Sequence, residues 1–313
     1  MAGFEPRKFT RPHRILVLHP LNAAEVHQAW ATPMVAHFAN LHRQGTIDAQ
    51  LVGPHAGQFR ALNTVKTDDF DGIVTIGLTS EQYLAELAER RLPMVVLDHK
   101  PQSAAVDSVC FNNQLAGENL AKRIASLGLR EILYVSRFFR DAKPAPGADP
   151  IIEMPASAER RIGLLQGAAG SATMIWPLFP WYSGGGGILA DAKTDSRWRL
   201  AHTIRQAEHW PDCIVTVDYS VAEEVVGLLA EQGLSVPRNL ALATFQVFPH
   251  CDGHAPAHQL SHMQGDYLQM AEVGWRLLAA RLNGGPARSA EPQSFMVDMK
   301  FADHGTLNFT PAR

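Results

Sequence analysis

Short, uninterrupted apolar runs alternate along this chain with stretches of helical periodicity. Six runs read as buried strands: residues 14–19, 72–76, 94–97, 132–135, 213–217 and 240–245. None alternates polar with apolar at every second position. Continuous apolar strands of this kind belong to parallel sheets covered on both faces. Between the runs, residues 80–91 set Tyr83, Leu84, Leu87 and Ala88 on one stripe. Residues 114–127 do the same with Leu115, Leu120 and Ile124, and residues 221–232 with Val225, Leu228 and Leu229. Strand and helix in alternation predict βαβ crossovers and an α/β fold. Gly128, Gly233 and Gly284 stand where helices are expected to end in a left-handed residue. Residues 23–44 are helical in pattern but contain Pro33, so a kink or restart is expected at Thr32-Pro33. The Pro- and Ala-rich stretch 142–156 reads as a surface loop. The four glycines 184–187 read as a loop or a close backbone approach, and residues 1–11 as a tail or linker.

Composition narrows the class. The 313 residues are 46% hydrophobic and 19% charged, enough apolar material for two lobes of about 150 residues each and too much for a disordered chain. A net charge of −3 is not the basic footprint of a nucleic-acid surface. Three cysteines, Cys110, Cys213 and Cys251, cannot build a disulfide framework, and they sit in or near strands as small buried hydrophobes do. No apolar run approaches the length of a membrane span, and the polar first residues lack the apolar core of a secretory signal. A soluble, cytoplasmic protein is expected.

Candidate chemistry is mostly excluded by absence. There is no G-x-G-x-x-G, no G-x-x-x-x-G-K-[ST] and no G-x-S-x-G, so neither a nucleotide-phosphate cradle nor a hydrolase nucleophile is indicated. His250, Cys251, Asp252, His254, His258 and His262 crowd into one stretch. Those side chains suit zinc, but their spacing matches no standard zinc site, and a polar, histidine-rich loop is the favoured reading. Asp98 and Asp218 each follow an apolar strand. Ligands of open parallel sheets bind beyond that end of the strands, and helix N-caps occupy the same place, so both readings stand. Trp181 and Tyr182, between Pro180 and Gly184, read as a loop pair that either packs on the protein or offers a face to a sugar ring.

Several stretches, taken in order, resemble one family. They are LPMVVLD at 92–98, SVCFNNQLAG at 108–117, LGLREI at 127–132, SAERRIG at 157–163, VDYSVA at 217–222, GLSVP at 233–237 and HGTL at 304–307. Over residues 12–310 the chain resembles the effector-binding domain of LacI/GalR-type bacterial transcription regulators. That resemblance implies two Rossmann-like lobes of the type I periplasmic-binding-protein fold, with ligand in the cleft between them. Lobe one is expected at 12–110 plus 261–289, and lobe two at 111–260 plus 290–313. It implies no catalysis, no cofactor and no metal. A sugar or related polyol is expected as effector, a homodimer as the assembly, with residues 23–44 on its face, and operator DNA as a partner only through a head domain not present in this chain. The implied ligand contacts are Arg160, Asp98, Trp181, Asp218, Gln246, Asn22, Thr79 and Ser80. A solute-binding protein of the same fold, serving transport or chemotaxis, is the alternative. The chain departs from the family pattern at Asn112-Asn113, at Val217 beside Asp218, and at Gln246, where a carboxylate is usual.

Overall fold

The computed structural model describes residues 11–19, 30–53, 69–102, 104–140, 151–176, 179–182, 196, 199–204, 210–246, 260–284 and 291–310. In chain order the elements are β1 (His13–Leu18), α1 (Thr32–Arg43), β2 (Ile47–Val52), β3 (Gly72–Ile76), α2 (Glu81–Ala88), β4 (Met94–Leu97), β5 (Asp107–Phe111), α3 (Asn113–Ser126), β6 (Glu131–Arg140) and β7 (Ile151–Glu153). They continue with α4 (Pro155–Ala168), β8 (Met174–Ile175), β9 (Phe179–Tyr182), β10 (Cys213–Thr216), α5 (Tyr219–Glu231), β11 (Ala241–Phe245), β12 (Ser261–Gln264), α6 (Tyr267–Leu282), β13 (Ser294–Val297) and β14 (Lys300–Ala302). The chain divides into two compact units, Met1–Phe111 with Asp266–Val297 and Asn112–Gly265 with Asp298–Arg313.

The first unit holds a six-stranded sheet in the order β13-β5-β4-β3-β1-β2, with every pair parallel. The second holds a sheet in the order β14-β12-β11-β10-β6-β7, with β8 and β9 also paired to β6. Only its margins, β6–β7 and β12–β14, are antiparallel. The α/β architecture expected from the strand–helix alternation is therefore present twice. Residues Ile15–Leu18 of β1 and all of β3, β4, β10 and β11 are buried, which is why these strands are apolar without alternation.

Local signals act where the sequence places them. Helix α1 starts at Thr32 with Pro33 in its first turn. Asn112, Asp218 and Asp266 cap α3, α5 and α6 by accepting from Leu115 N, Val221 N and Gln269 N. Gly128, Gly233 and Gly284 stand just past three helix ends at φ of +77°, +74° and +76°.

Three expectations need correction. The strand β12 at 261–264 pairs with β11 in the second sheet, and β13 at 294–297 pairs with β5 in the first. The crossovers thus follow these strands rather than precede them, because a strand must finish its ladder before the chain leaves the sheet. The stretch 142–156 is not all loop: β7 and the first two residues of α4 lie within it. Trp181 sits on β9, paired in register with Arg137 of β6, rather than in a loop. Residues 184–187 and 23–29 lie outside the described residues.

Candidate functional site

In both sheets, polar residues collect just beyond the carboxyl ends of the parallel strands, the place where open α/β sheets bind ligands. In the first unit, β3 ends at Ile76 and β4 at Leu97. The amide of Gly77 donates to Leu97 O at 2.8 Å, so these two ends are neighbours. Asp98 follows with φ +61°, and its amide donates to Val109 O at 2.8 Å. A left-handed aspartate is uncommon and is held here by the ladder on either side. Thr79 and Ser80 are exposed. Ser80 is the N-cap of α2, yet its hydroxyl makes no capping bond. Buried His99 meets Glu81 across 2.7 Å, and the other oxygen of Glu81 accepts from Gln102 N at 2.9 Å. Trp30 lies over Gly77, where a Cβ would meet its ring, and packs on Tyr267 at 5.9 Å. Pattern reading passed over this aromatic lid. Its one signal is a glycine directly after a buried strand. Asn22 lies outside the described residues.

In the second unit the ends of β6, β10 and β11 meet the first turns of α4 and α5. Arg160, 4% exposed, projects from α4. Its Nε donates to Asn113 Oδ1 at 2.9 Å and its Nη1 to Val217 O at 2.6 Å, and its guanidinium lies 5.0 Å from the centre of the Phe245 ring. Asn113 turns its amide nitrogen to Glu159 Oε2 at 3.1 Å. Arg160 therefore ties together the ends of β10 and β11 and the start of α3.

Asp218 is engaged on both oxygens. Arg137 grips it with Nε at 2.9 Å and Nη2 at 2.8 Å, and Ser220 Oγ and Val221 N donate to Oδ1 at 2.9 and 3.1 Å. Burial alone would push this carboxyl up. The charge and hydrogen bonds of Arg137, with those from Val221 and Ser220, outweigh it and hold the group below the usual carboxylate range. Asp218 is thus an N-cap and an ion-pair partner at once. Arg137 was not singled out from the sequence, and its partner lies 81 residues away.

Gln246 directly follows β11 at φ +56° and is 7% exposed. Its amide donates to Met263 O at 2.8 Å. Its side-chain Nε2 is buried with no hydrogen-bond partner among the described residues. A buried donor left unpaired costs about 1–3 kcal/mol, so such an atom at a strand end points to a bound partner. Trp181 is 3% exposed. Behind these residues, Ser136 Oγ donates to Glu153 Oε1 at 2.6 Å, and Arg161 Nη2 pairs with Glu153 Oε2 at 2.9 Å.

Among the described residues no three His, Cys, Asp or Glu side chains form a metal-binding group. His250, Cys251, Asp252, His254 and His258 lie outside them. His262 is an internal residue of β12, with Nδ1 2.8 Å from Leu260 O and its ring stacked on His304 at 5.4 Å. No helix among the described residues is long and apolar enough to cross a membrane.

Residues 121–296 match a family model described as a periplasmic binding protein-like domain. Among curated proteins, the chain is 21% identical over 216 residues to the HTH-type transcriptional repressor MelR of Bacillus subtilis (strain 168), a match over 69% of this chain and 58% of that protein. The chain thus spans a little over half the length of the curated relative it matches. Among solved structures, it resembles a LacI family transcriptional regulator from Enterococcus faecium with bound ribose, with a TM-score of 0.65, 14% identity, and 93% and 97% of the two chains covered. It also resembles a periplasmic binding protein/LacI transcriptional regulator from Alkaliphilus metalliredigens QYMF complexed with D-xylulofuranose, with a TM-score of 0.68, 15% identity, and 92% and 97% covered.

Proposed function

We propose, for a chain that belongs to the periplasmic binding protein-like domain family, that it is the sensing part of a LacI-type transcription regulator and binds a small sugar-like effector without transforming it. The observation that carries this reading is Gln246, whose buried Nε2 lacks a partner at the carboxyl end of β11. The relatives support it, being transcription regulators, two of them with a pentose bound. Arg160 and Gln246 are the ligand contacts of the second unit. Asp98, Thr79 and Ser80 are those of the first. The effector acts by differential affinity: it favours the conformations to which it binds more tightly, and no others. In the cell this reading places the protein in the cytoplasm, as a homodimer that reaches operator DNA through a head domain.

The test is a melting-temperature series with ribose, xylose, xylulose, the common hexoses, the corresponding polyols, and their acid and phosphate derivatives. A ligand that binds only the folded chain stabilises it by about 2.7 kcal/mol at one hundred times its Kd. A sugar that raises the melting temperature of the wild type and not of Gln246→Leu supports the reading. A flat response to every sugar, polyol and sugar derivative tried would sink it.

A further inference from the structure

We infer that the effector carries an anionic group, a carboxylate or a phosphate ester, and that the second unit binds it through Arg160 and Gln246. The inference rests on the sensing role proposed above and names the chemistry of its ligand.

It follows from which charges and donors at this end of the sheet are answered and which are not. Asp218 receives four hydrogen bonds, three at Oδ1 from Arg137, Ser220 and Val221 and one at Oδ2 from Arg137, and its charge is answered by that guanidinium. The negative charge of Asp218 is therefore already spent within the protein. Other acceptors nearby are also engaged. Val217 O and Asn113 Oδ1 both accept from Arg160, and the hydroxyls of Thr216 and Thr244 bond to each other at 2.8 Å.

The donors are not spent. Gln246 Nε2 is buried and unpartnered among the described residues. Arg160 is 4% exposed, yet its two hydrogen bonds go to neutral oxygens, and among the described residues no carboxylate lies within ion-pair distance of it. Glu159 reaches it only through the Asn113 amide, which stands between the two charges. Arg160 and Gln246 are joined through Phe245, whose ring faces the guanidinium and whose carbonyl precedes the Gln246 nitrogen. Among the described residues, a buried cation without an anion and a buried amide donor without an acceptor at one end of the same sheet are together complementary to an oxyanion. A neutral polyol would leave the Arg160 charge unanswered.

The experiment compares ligands matched except for the anion: xylose against xylonate, glucose against gluconate and glucuronate, and ribose against ribose 5-phosphate. Affinities are measured by titration calorimetry on the full chain. The acid or phosphate member of at least one pair is expected to bind about tenfold tighter or more, since charge-assisted bonds are roughly twice as strong as neutral ones. The carboxylate and phosphate arms tell which anion it is. Gln246→Glu, which sets a carboxylate where the amide donates, should abolish that preference, with unfolding still cooperative. Arg160→Gln should do the same, and if it fails to fold, Gln246→Glu carries the test alone. A neutral sugar that binds as tightly as its acid overturns the anionic effector and leaves the sugar sensor standing. Failure of every ligand in both series overturns both.

Discussion

Helices α3 and α4 approach at three glycines, and the contact decides where Arg160 stands. A Cβ on Gly163 would fall on the carbonyl oxygen of Gln114 and lie 2.9 Å from both Gln114 C and Glu118 N. One on Gly117 would strike the carbonyl of Arg160 itself, and one on Gly167 the carbonyl of Glu118. All these obstacles are backbone, so no side chain can swing aside. Overfilling a packed contact costs about 1–3 kcal/mol, and the rigid obstacle here puts Gly163→Ala at the upper end of that range. Alanine recovers up to about 1 kcal/mol of helix propensity, which leaves a net loss of about 2 kcal/mol. Gly227, inside α5, is the control, because a Cβ there meets nothing within 4 Å. Gly227→Ala should gain about 0.5–1 kcal/mol from propensity alone. For folding units of about 150–250 residues each kcal/mol moves the melting temperature by about 2–4 °C. Gly163→Ala should therefore melt about 4–8 °C lower, and Gly227→Ala about 1–4 °C higher. Urea titration and calorimetry measure both. If Gly163→Ala stabilises the chain as Gly227→Ala does, the close helix contact does not exist and the placement of Arg160 argued from it fails.

Three further outcomes follow from named interactions. Asp107 is 3% exposed and accepts from Arg281 Nε and Nη2 at 2.8 and 2.7 Å and from Gln293 N at 2.8 Å; Asp107→Asn strands a largely buried guanidinium and should cost about 3 kcal/mol or more in urea unfolding. Gln246→Leu removes a buried unsatisfied donor and should stabilise the ligand-free chain by up to about 1 kcal/mol while abolishing effector binding, a combination that a purely structural glutamine would not give. Burial lowers the pKa of His19, His37 and His262 from their ordinary value of 6.5. The unfolded chain then binds more protons, so this contribution to stability is complete above about pH 6.5 and is lost as the pH falls through the depressed folded values. Denaturant midpoints should rise between pH 5.5 and 7.5, and a midpoint that falls over that interval would contradict the burial of these rings.

How much of this was legible depended on the physical source of each feature. Strands β1, β3, β4, β10 and β11 are buried on both faces, so each left an apolar run that composition alone reveals. The edge strand β2 reads Ile-Asp-Ala-Gln-Leu-Val with only its first residue buried, and three of the four residues of β13 are exposed. Such strands are specified by a neighbour's ladder rather than by their own hydrophobicity, and the misplaced crossover at 290 traces to that. Helix caps were legible because their cause is local: Asp218 and Val221 are three residues apart. Its second partner was not, because Arg137 meets it across the sheet, and no pattern within either segment records the pairing. That one invisible contact changes the chemistry. Read in isolation, Asp218 is an acceptor for sugar hydroxyls. Gripped by Arg137, its charge is already answered, and Gln246, an amide where the resembled family pattern has an acid, is a donor with no partner among the described residues. The replaced residue at 246 and the neutralised one at 218 shift the same end of the sheet in the same direction, away from hydroxyl recognition and toward an anion.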